Sequence, residues 1–252
     1  MKWIRERALR GEWMAGTFLN LGSSVTAEIA GKAGFDWVLI DIEHGMGDRQ
    51  ELLAQLQALE ATPSAPVVRI AWNDSVRFKR VLDLGVSGVM VPYVNSAEEA
   101  TRAASAMRYP PDGVRGVARL NRACDFGPNF SEYFTKANSH LLTVVQIETQ
   151  AAIENLNEIA AVDGVDVLFV GPLDLSVSLG VPDQFDHHLE QEALTQVVAA
   201  CRKAGKAAGI LVANEAQLKR VRKLGFTFVA IGSDGGAVVK EMHSLVAISK
   251  LT

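Results

Sequence analysis

The chain has 252 residues, 48% of them hydrophobic, which is enough to bury one large core. Its 25 basic and 29 acidic side chains are scattered and give a formal net charge of −4, so no basic stripe indicates a nucleic acid or an anionic membrane as partner. Cys124 and Cys201 form no metal-binding or disulfide pattern, and no apolar stretch approaches the ~20 residues that span a bilayer. The charged start MKWIRERALRGEW lacks the apolar core of a signal peptide, so we expect a cytoplasmic protein that acts on small metabolites.

Eight short apolar runs alternate with longer segments that have the apolar spacing of helices. The runs are MAGTFLN (from Met14), DWVLIDI (Asp36), APVVRIA (Ala65), GVMVPYV (Gly88), LLTVVQIE (Leu141), VDVLFVGP (Val165), AAGILVA (Ala207) and FTFVAIGSD (Phe226). Several of the helical segments end in glycine, as helix C-termini often do. Eight alternations without a dinucleotide-binding fingerprint predict an α/β fold, a (β/α)8 TIM barrel, as a single domain over residues 1–252.

The segment from Tyr109 to Asn138 interrupts this alternation. It holds three prolines and has too little apolar periodicity for a plain crossover. It predicts a long loop over one face of the barrel, carrying a short helix.

Unusual polar residues stand where several predicted strands end. They are Asp41, Glu43, His44, Arg69, Gln146, Glu148 and Asp174. Barrel enzymes build their sites from the C-terminal ends of the strands, so these residues, supplied by four strands, are expected to meet at one mouth. Gln146 and Glu148 are two residues apart and therefore point to the same side of their strand.

Most of these residues have a structural interpretation as well. Asp174 taken alone is best explained as a helix N-cap, and Gln146 as a satisfied polar group. Arg69 lies inside an apolar run, where its charge requires either a structural ion pair or an anionic ligand. His44 taken alone is best explained as a hydrogen-bonded histidine. The convergence of the four strands, and no single residue, favours a functional site.

The residue types indicate a chemistry. Glu148 and Asp174 form a hard oxygen-donor pair suited to Mg²⁺ or Mn²⁺, with positions left for water and substrate. His44 backed by Asp41 has the pattern of an acid–base pair. None of the ten lysines stands at the C-terminal end of a predicted strand, so a Schiff-base nucleophile is missing and carbanion stabilisation falls to a metal.

The motifs DWVLIDIEHG, PVVRIAWND, YPPDGVRG, VVQIET, VDVLFVGPLDLSVSLG and GILVANE resemble the metal-dependent, pyruvate-specific class II aldolases of the HpcH/HpaI type. That group includes 4-hydroxy-2-oxoheptanedioate and 2-keto-3-deoxy sugar acid aldolases, and the similarity runs from about Ala15 to the eighth strand. The resemblance implies a lyase that reversibly cleaves 4-hydroxy-2-oxo acids to pyruvate and an aldehyde through a metal-bound pyruvate enolate, with oxaloacetate decarboxylation as a side activity. Two alternatives remain. One is a malyl- or citramalyl-CoA-type lyase, although this sequence has no basic patch for the CoA phosphates. The other is a non-catalytic barrel that binds a keto acid.

The resemblance also assigns roles to individual residues. Glu148 and Asp174 would hold a divalent metal, Mg²⁺ or Mn²⁺ before Co²⁺ or Zn²⁺, and Arg69 would bind the keto oxygen of pyruvate. His44 with Asp41 would be the acid–base dyad. The other substrate-binding positions it implies are Gln146, Leu211, Phe18, Asp83 and the backbone at Leu173 and Asp174.

A homo-oligomer is implied too, typically a hexamer built as a dimer of trimers, with the last helix exchanged between neighbours and Asp83 reaching a neighbouring site. The sequence departs from the family pattern at Phe18 and in the loop ARLNRACDFG, residues 118–127. Both are expected to touch the aldehyde half of the substrate. This leaves the aldehyde undetermined.

Overall fold

Hydrogen bonds between neighbouring strands join the eight apolar runs into a closed parallel barrel in the computed structural model, which describes residues 2–250. The strands are β1 (Met14–Leu19), β2 (Trp37–Asp41), β3 (Ala65–Arg69), β4 (Gly88–Val91), β5 (Leu142–Ile147), β6 (Val167–Val170), β7 (Ala207–Val212) and β8 (Phe228–Ser233). They follow one another around the barrel in chain order, and β8 closes it on β1. The predicted fold is confirmed.

Most of the helices lie between consecutive strands and cover the outside of the barrel, while α1 precedes β1 and α12 follows β8. They are α1 (Arg5–Leu9), α2 (Ser24–Ala33), α3 (Arg49–Glu60), α4 (Ser75–Leu82), α5 (Ala97–Met107), α6 (Phe130–His140), α7 (Gln150–Glu154), α8 (Leu156–Ala161), α9 (Pro172–Ser178), α10 (His188–Ala204), α11 (Glu215–Leu224) and α12 (Asp234–Ser249). Their ends follow local chemistry: Asp48 and Glu51 form a capping box at the start of α3, and Gly205 ends α10 in the left-handed conformation.

Aromatic rings fill the barrel interior beneath the mouth. The indole of Trp37 stacks on Phe228 with ring centroids 4.0 Å apart, and it forms a T-shaped pair with Phe169 at a centroid distance of 6.3 Å. Gly16 faces this indole, and a β-carbon built there would overlap the ring. The strand backbone therefore approaches the indole closely, and this packed layer forms the floor under the polar residues of the mouth.

The N-terminal end of the barrel is closed by the start of the chain. Ile4 and Ala8, before and within α1, are buried in the same interior cluster as Trp37. The Lys2 ammonium donates to the carbonyls of Leu59 and Ser64 and fixes this segment. The amphipathic start of the sequence is therefore a plug for one end of the barrel.

The segment that interrupts the alternation crosses this same N-terminal end. It contains a 3₁₀ turn (Arg122–Cys124) and α6, which account for the predicted short helix. Arg122 donates to the carbonyl of Leu84, and the N–H of Ala123 donates to the carbonyl of Asp83, just before β4. The loop 118–127 therefore lies at the opposite end from the mouth of its own barrel. The expectation that it touches the aldehyde half is wrong within one chain, because an insertion between α5 and β5 starts from the N-terminal end of the strands.

The last helix, α12, leaves much of its apolar surface exposed. The exposed side chains are Val238, Val239, Met242, Leu245, Val246 and Ile248. The exchange of this helix between subunits stays a prediction. Within residues 2–250, no helix is long and apolar enough to cross a membrane.

We expect Gly16→Ala to lower the free energy of unfolding by about 1–3 kcal/mol, because the added methyl group overpacks the interior against Trp37. Gly116→Ala is the matched control, since a β-carbon there meets only the Lys79 side chain at 3.4 Å. Urea denaturation of both variants measures the difference. Equal stability of the two variants would contradict the packing of this layer.

Candidate active site

Arg69 lies at the end of β3 and is the most highly connected side chain of the mouth. Its Nε and Nη2 donate to the two carboxylate oxygens of Asp41 at 2.9 and 2.6 Å, and Nη1 lies 3.1 Å from Glu43. The guanidinium also sits over the ring of Phe18, 5.4 Å from its centroid. This buried charge is therefore paired with carboxylates, so the structural ion pair, one of the two alternatives for Arg69, is present.

The predicted pairing of Asp41 with the His44 side chain is not what the structure shows. Asp41 is level with Arg69 across the β2–β3 ladder, and its carboxylate binds that guanidinium and the backbone N–H groups of Glu43 and His44. The His44 side chain is 69% exposed, and its Nε2 lies 3.8 Å from the carboxylate of Glu43. The register of β2 and β3 thus pairs Asp41 with Arg69. The carboxylate nearest to the imidazole of His44 is that of Glu43.

Glu148 follows β5 and is buried at the centre of the mouth. One carboxylate oxygen accepts the N–H of Tyr93 at 2.7 Å, and the other accepts Nε2 of Gln146 at 2.8 Å. Gly171 leaves room for this group, because a β-carbon there would lie 2.6 Å from the carboxylate. Burial raises the pKa of Glu148 to about 7, and the charges of Asp174 and Glu43 act in the same direction.

Asp174 lies in the first turn of α9, but it does not cap the helix. Gly171 occupies the N-cap position, and no side chain caps the helix there. The Asp174 carboxylate instead accepts the hydroxyl of Tyr93 at 3.3 Å. The N-cap interpretation of Asp174 is therefore wrong, and its carboxylate faces the residue that also holds Glu148.

The carboxylates of Glu148 and Asp174 could bind a divalent cation, with the protein supplying only part of its ligands. Glu148 and Asp174 both contact Tyr93, one through its backbone and the other through its hydroxyl. No group of three or more His, Cys, Asp or Glu residues within 2–250 is arranged to hold a metal ion. Two hard oxygen donors would leave most of an octahedral shell to water and substrate. A cation there would also offset the repulsion from Asp174 and Glu43, which adds to the effect of burial on the pKa of Glu148.

The remaining predicted positions divide between the two ends of the barrel. Phe18 is buried beside Arg69, Leu211 packs against the interior cluster below, and Leu173 is exposed at the mouth. Asp83 lies at the other end, where its carboxylate pairs with the buried Arg115 at 3.0 Å. Asp83 therefore does not enter the site of its own chain.

Sequence reasoning missed Tyr93 as a member of the site, and it placed Glu43 at the mouth without assigning it a role. Tyr93 stands two residues after β4 and belongs to that strand's apolar run in the sequence, although its position after a strand end was a signal. Glu43 lies between Asp41 and His44, and its role as the second partner of Arg69 depends on the path of the chain after β2.

The family model described as HpcH/HpaI aldolase/citrate lyase matches residues 14–240. A 4-hydroxy-2-oxo-heptane-1,7-dioate aldolase of Shigella sonnei is 44% identical over 237 residues, which cover 94% of this chain and 90% of that protein. The crystal structure of an HpcH/HpaI aldolase/citrate lyase family protein from Burkholderia cenocepacia is 34% identical with a TM-score of 0.93, covering 98% of both chains. A citrate lyase from Burkholderia xenovorans shares the fold alone, at 16% identity and a TM-score of 0.64, covering 88% of this chain and 74% of that one.

The fold and the site thus define a barrel lyase, and the chain belongs to the HpcH/HpaI aldolase/citrate lyase family. The prediction of an enzyme, a lyase of the aldolase type, is confirmed.

The electrostatics of Glu148 give a pH prediction for the metal-free protein. The pKa of Glu148 is about 7 in the folded state, against an ordinary value of 4.5, so the folded state binds this proton more tightly than the unfolded state. The stability of the metal-free protein should therefore fall as the pH rises from about 4.5 to about 7. Glu148→Gln should remove roughly 2–3 kcal/mol of that fall, since one pKa unit corresponds to ~1.4 kcal/mol.

Urea denaturation in EDTA at a series of pH values between 4.5 and 8 measures this slope for both proteins. The same pH dependence in the variant and the unaltered protein would show that Glu148 titrates normally.

Proposed function

We propose that the enzyme reversibly cleaves 4-hydroxy-2-oxo acids into pyruvate and an aldehyde, and decarboxylates oxaloacetate as a side activity. The observation that supports this most directly is that the buried Arg69 guanidinium lies close to the proposed metal ligands Glu148 and Asp174. Gln146 connects them: its amide nitrogen donates to Glu148, and its oxygen lies 3.5 Å from Nη1 of Arg69. A small 2-oxo acid, with a carboxylate next to a keto oxygen, suits a space of this kind.

Glu148 and Asp174 are the proposed ligands of a divalent metal, Mg²⁺ or Mn²⁺ before Co²⁺ or Zn²⁺. Such a metal supplies Lewis-acid polarisation of the keto group when it is bound. The backbone N–H groups of Leu173 and Asp174, in the first turn of α9, would receive the substrate carboxylate, because N–H groups in a first helical turn have no partner within the helix.

Arg69 is the proposed donor to the keto oxygen. Asp41 and Glu43 hold its guanidinium in a fixed orientation, so little reorganisation is needed when negative charge develops on that oxygen. His44 is the proposed base that takes the proton from the C4 hydroxyl. The electron pair of the C3–C4 bond then passes into the enolate as the aldehyde leaves, and protonation of C3 yields pyruvate.

A CoA-thioester lyase is supported less well. The relative at 44% identity is named as an aldolase, whereas the citrate lyase resembles this chain only in fold. Turnover of free hydroxy acids without CoA would separate the two reactions.

We also propose that the chain assembles as a homo-oligomer, a hexamer built as a dimer of trimers. The exposed apolar side chains of α12 support this, since a patch of this kind on one helix is typical of a surface covered by another subunit. Exchange of α12 between neighbours would bury that face. Asp83, at the N-terminal end, would contribute to a neighbouring subunit's site and not to its own.

Chelation tests the metal. EDTA should abolish aldol cleavage, and borohydride with pyruvate should leave the protein unlabelled, because the proposed site uses no lysine nucleophile. Asp174→Ala should lose activity in a way that excess Mn²⁺ only partly restores. Covalent trapping of pyruvate on a lysine would contradict the proposed metal-dependent mechanism.

Arg69→Lys should keep the charge but lose the planar fork that meets Asp41. We expect a loss of ~2–4 kcal/mol of transition-state stabilisation, measured as kcat/KM for aldol cleavage. Full activity in Arg69→Lys combined with misfolding of Arg69→Ala would leave Arg69 a structural role alone.

His44→Ala separates the base from the groups that stabilise the enolate. Oxaloacetate decarboxylation gives the same enolate without loss of a hydroxyl proton, so it should fall much less than aldol cleavage, which should drop by roughly 10²- to 10⁴-fold. Asp174→Ala should lower both rates together. Equal losses in the His44 variant would make His44 a positioning residue.

A further inference from the structure

Tyr93 is held in place by its backbone as well as its side chain. It follows β4 with a φ of +51°, a left-handed conformation that bulky residues rarely adopt. Its N–H donates to Glu148 at 2.7 Å and its hydroxyl to Asp174 at 3.3 Å. Rare backbone conformations persist where the surroundings fix them, and here two carboxylates of the site do so. The position of the tyrosine ring beside these carboxylates is therefore defined.

The tyrosine ring is one of a pair at the mouth. The ring of Trp72, three residues after Arg69, lies with its centroid 6.3 Å from that of Tyr93 at an interplanar angle of 34°. The side chains are 57% and 37% exposed, respectively, so both rings present surface beyond their contact with each other. They follow the neighbouring strands β3 and β4, and Tyr93 joins the pair to Glu148 and Asp174 at the mouth.

The charges around these rings disfavour a second negative group on a substrate. Segments 70–75, 92–96 and 171–174, which follow β3, β4 and β6, contain two carboxylates and no lysine or arginine. Arg69 is already bound by Asp41 and Glu43. The negative charge of an anionic aldehyde beside Tyr93 would therefore be repelled by Glu148 and Asp174, and no lysine or arginine of these segments could neutralise it.

We infer that Trp72 and Tyr93 form the aromatic wall of the acceptor half of the site, and that this wall selects flat, uncharged aldehydes. The inference rests on the proposed aldol reaction and adds the chemical class of its acceptor. It gives Tyr93 a role in specificity: stacking holds the aldehyde, and the bonds to Glu148 and Asp174 fix the height of the ring. The preferred acceptor differs from that of the Shigella relative, whose named substrate is a dioate.

The test compares the addition of pyruvate to three aldehydes: benzaldehyde, pentanal and 4-carboxybenzaldehyde. The unaltered enzyme should have its highest kcat/KM with benzaldehyde, because pentanal lacks the flat ring and 4-carboxybenzaldehyde adds a charge. Tyr93→Leu and Trp72→Leu should each lower the benzaldehyde-to-pentanal ratio by about 3- to 10-fold, the range expected for loss of one aromatic contact. Tyr93→Phe should lower the ratio less than Tyr93→Leu, since it keeps the ring and the N–H bond to Glu148 and loses only the hydroxyl bond to Asp174.

Phe134→Leu is the matched control, because Phe134 is also 37% exposed but lies on α6 at the other end of the barrel. Its ratio should equal that of the unaltered enzyme. Mn²⁺ affinity, measured by electron paramagnetic resonance, reports on the carboxylate pair independently of turnover, and the Trp72 variant should retain it.

The outcomes separate this inference from the proposed function. Addition to all three aldehydes with the same ratio in the Trp72 and Tyr93 variants would overturn the aromatic wall and leave the aldol reaction intact. A higher kcat/KM with 4-carboxybenzaldehyde than with benzaldehyde would overturn it as well. No addition to any aldehyde by an enzyme that binds Mn²⁺ would overturn the proposed function itself.

Discussion

The mouth of the barrel depends on the charge of one buried arginine. Arg69 cannot lie between apolar strands unless carboxylates neutralise it, and Asp41 and Glu43 do so from the end of the neighbouring strand. This arrangement fixes the path of the chain after β2 and directs the guanidinium towards Gln146 and, through it, Glu148. Removal of Asp41 or Glu43 would leave the buried charge of Arg69 only partly compensated. Arg69 therefore has a structural role as well as its proposed chemical one.

The two ends of the barrel are built differently for a physical reason. At the N-terminal end, α1 and the long segment before β5 fill the opening with apolar packing and with ion pairs such as Arg115–Asp83. At the C-terminal end, the packed rings of Trp37, Phe169 and Phe228 stop short of the mouth, and polar groups lie above them. An apolar floor lowers the local dielectric under Arg69 and Glu148, which strengthens every interaction that these charges make.

The strands were predictable because most of their residues are buried on both faces, which gives each strand a mainly apolar sequence. The convergence of Arg69, Glu148 and Asp174 at one mouth followed from the parallel direction of those strands. The partner of Asp41 did not follow, because it depends on which residues are level across the β2–β3 ladder, and sequence spacing along one strand carries no information about register. Tyr93 was missed since a left-handed tyrosine has no sequence signature, and its hydroxyl bond joins segments 81 residues apart. The closure of the barrel by α1 was missed because only Ile4 and Ala8 pack into the interior cluster, and two apolar residues do not form a recognisable pattern in a charged segment.

Binding of the proposed divalent cation to Glu148 would be coupled to the release of a proton, because burial raises the pKa of this carboxyl to about 7. Below about pH 7 this carboxylate carries a proton in the folded protein, and a divalent cation bound by its oxygens must displace that proton. With Glu148 as a ligand, the apparent affinity for the cation should rise by up to ~10-fold per pH unit in acid and level off above neutrality. The proposed site would then exchange one proton for each metal ion, so its occupancy would depend on pH without any change in the fold.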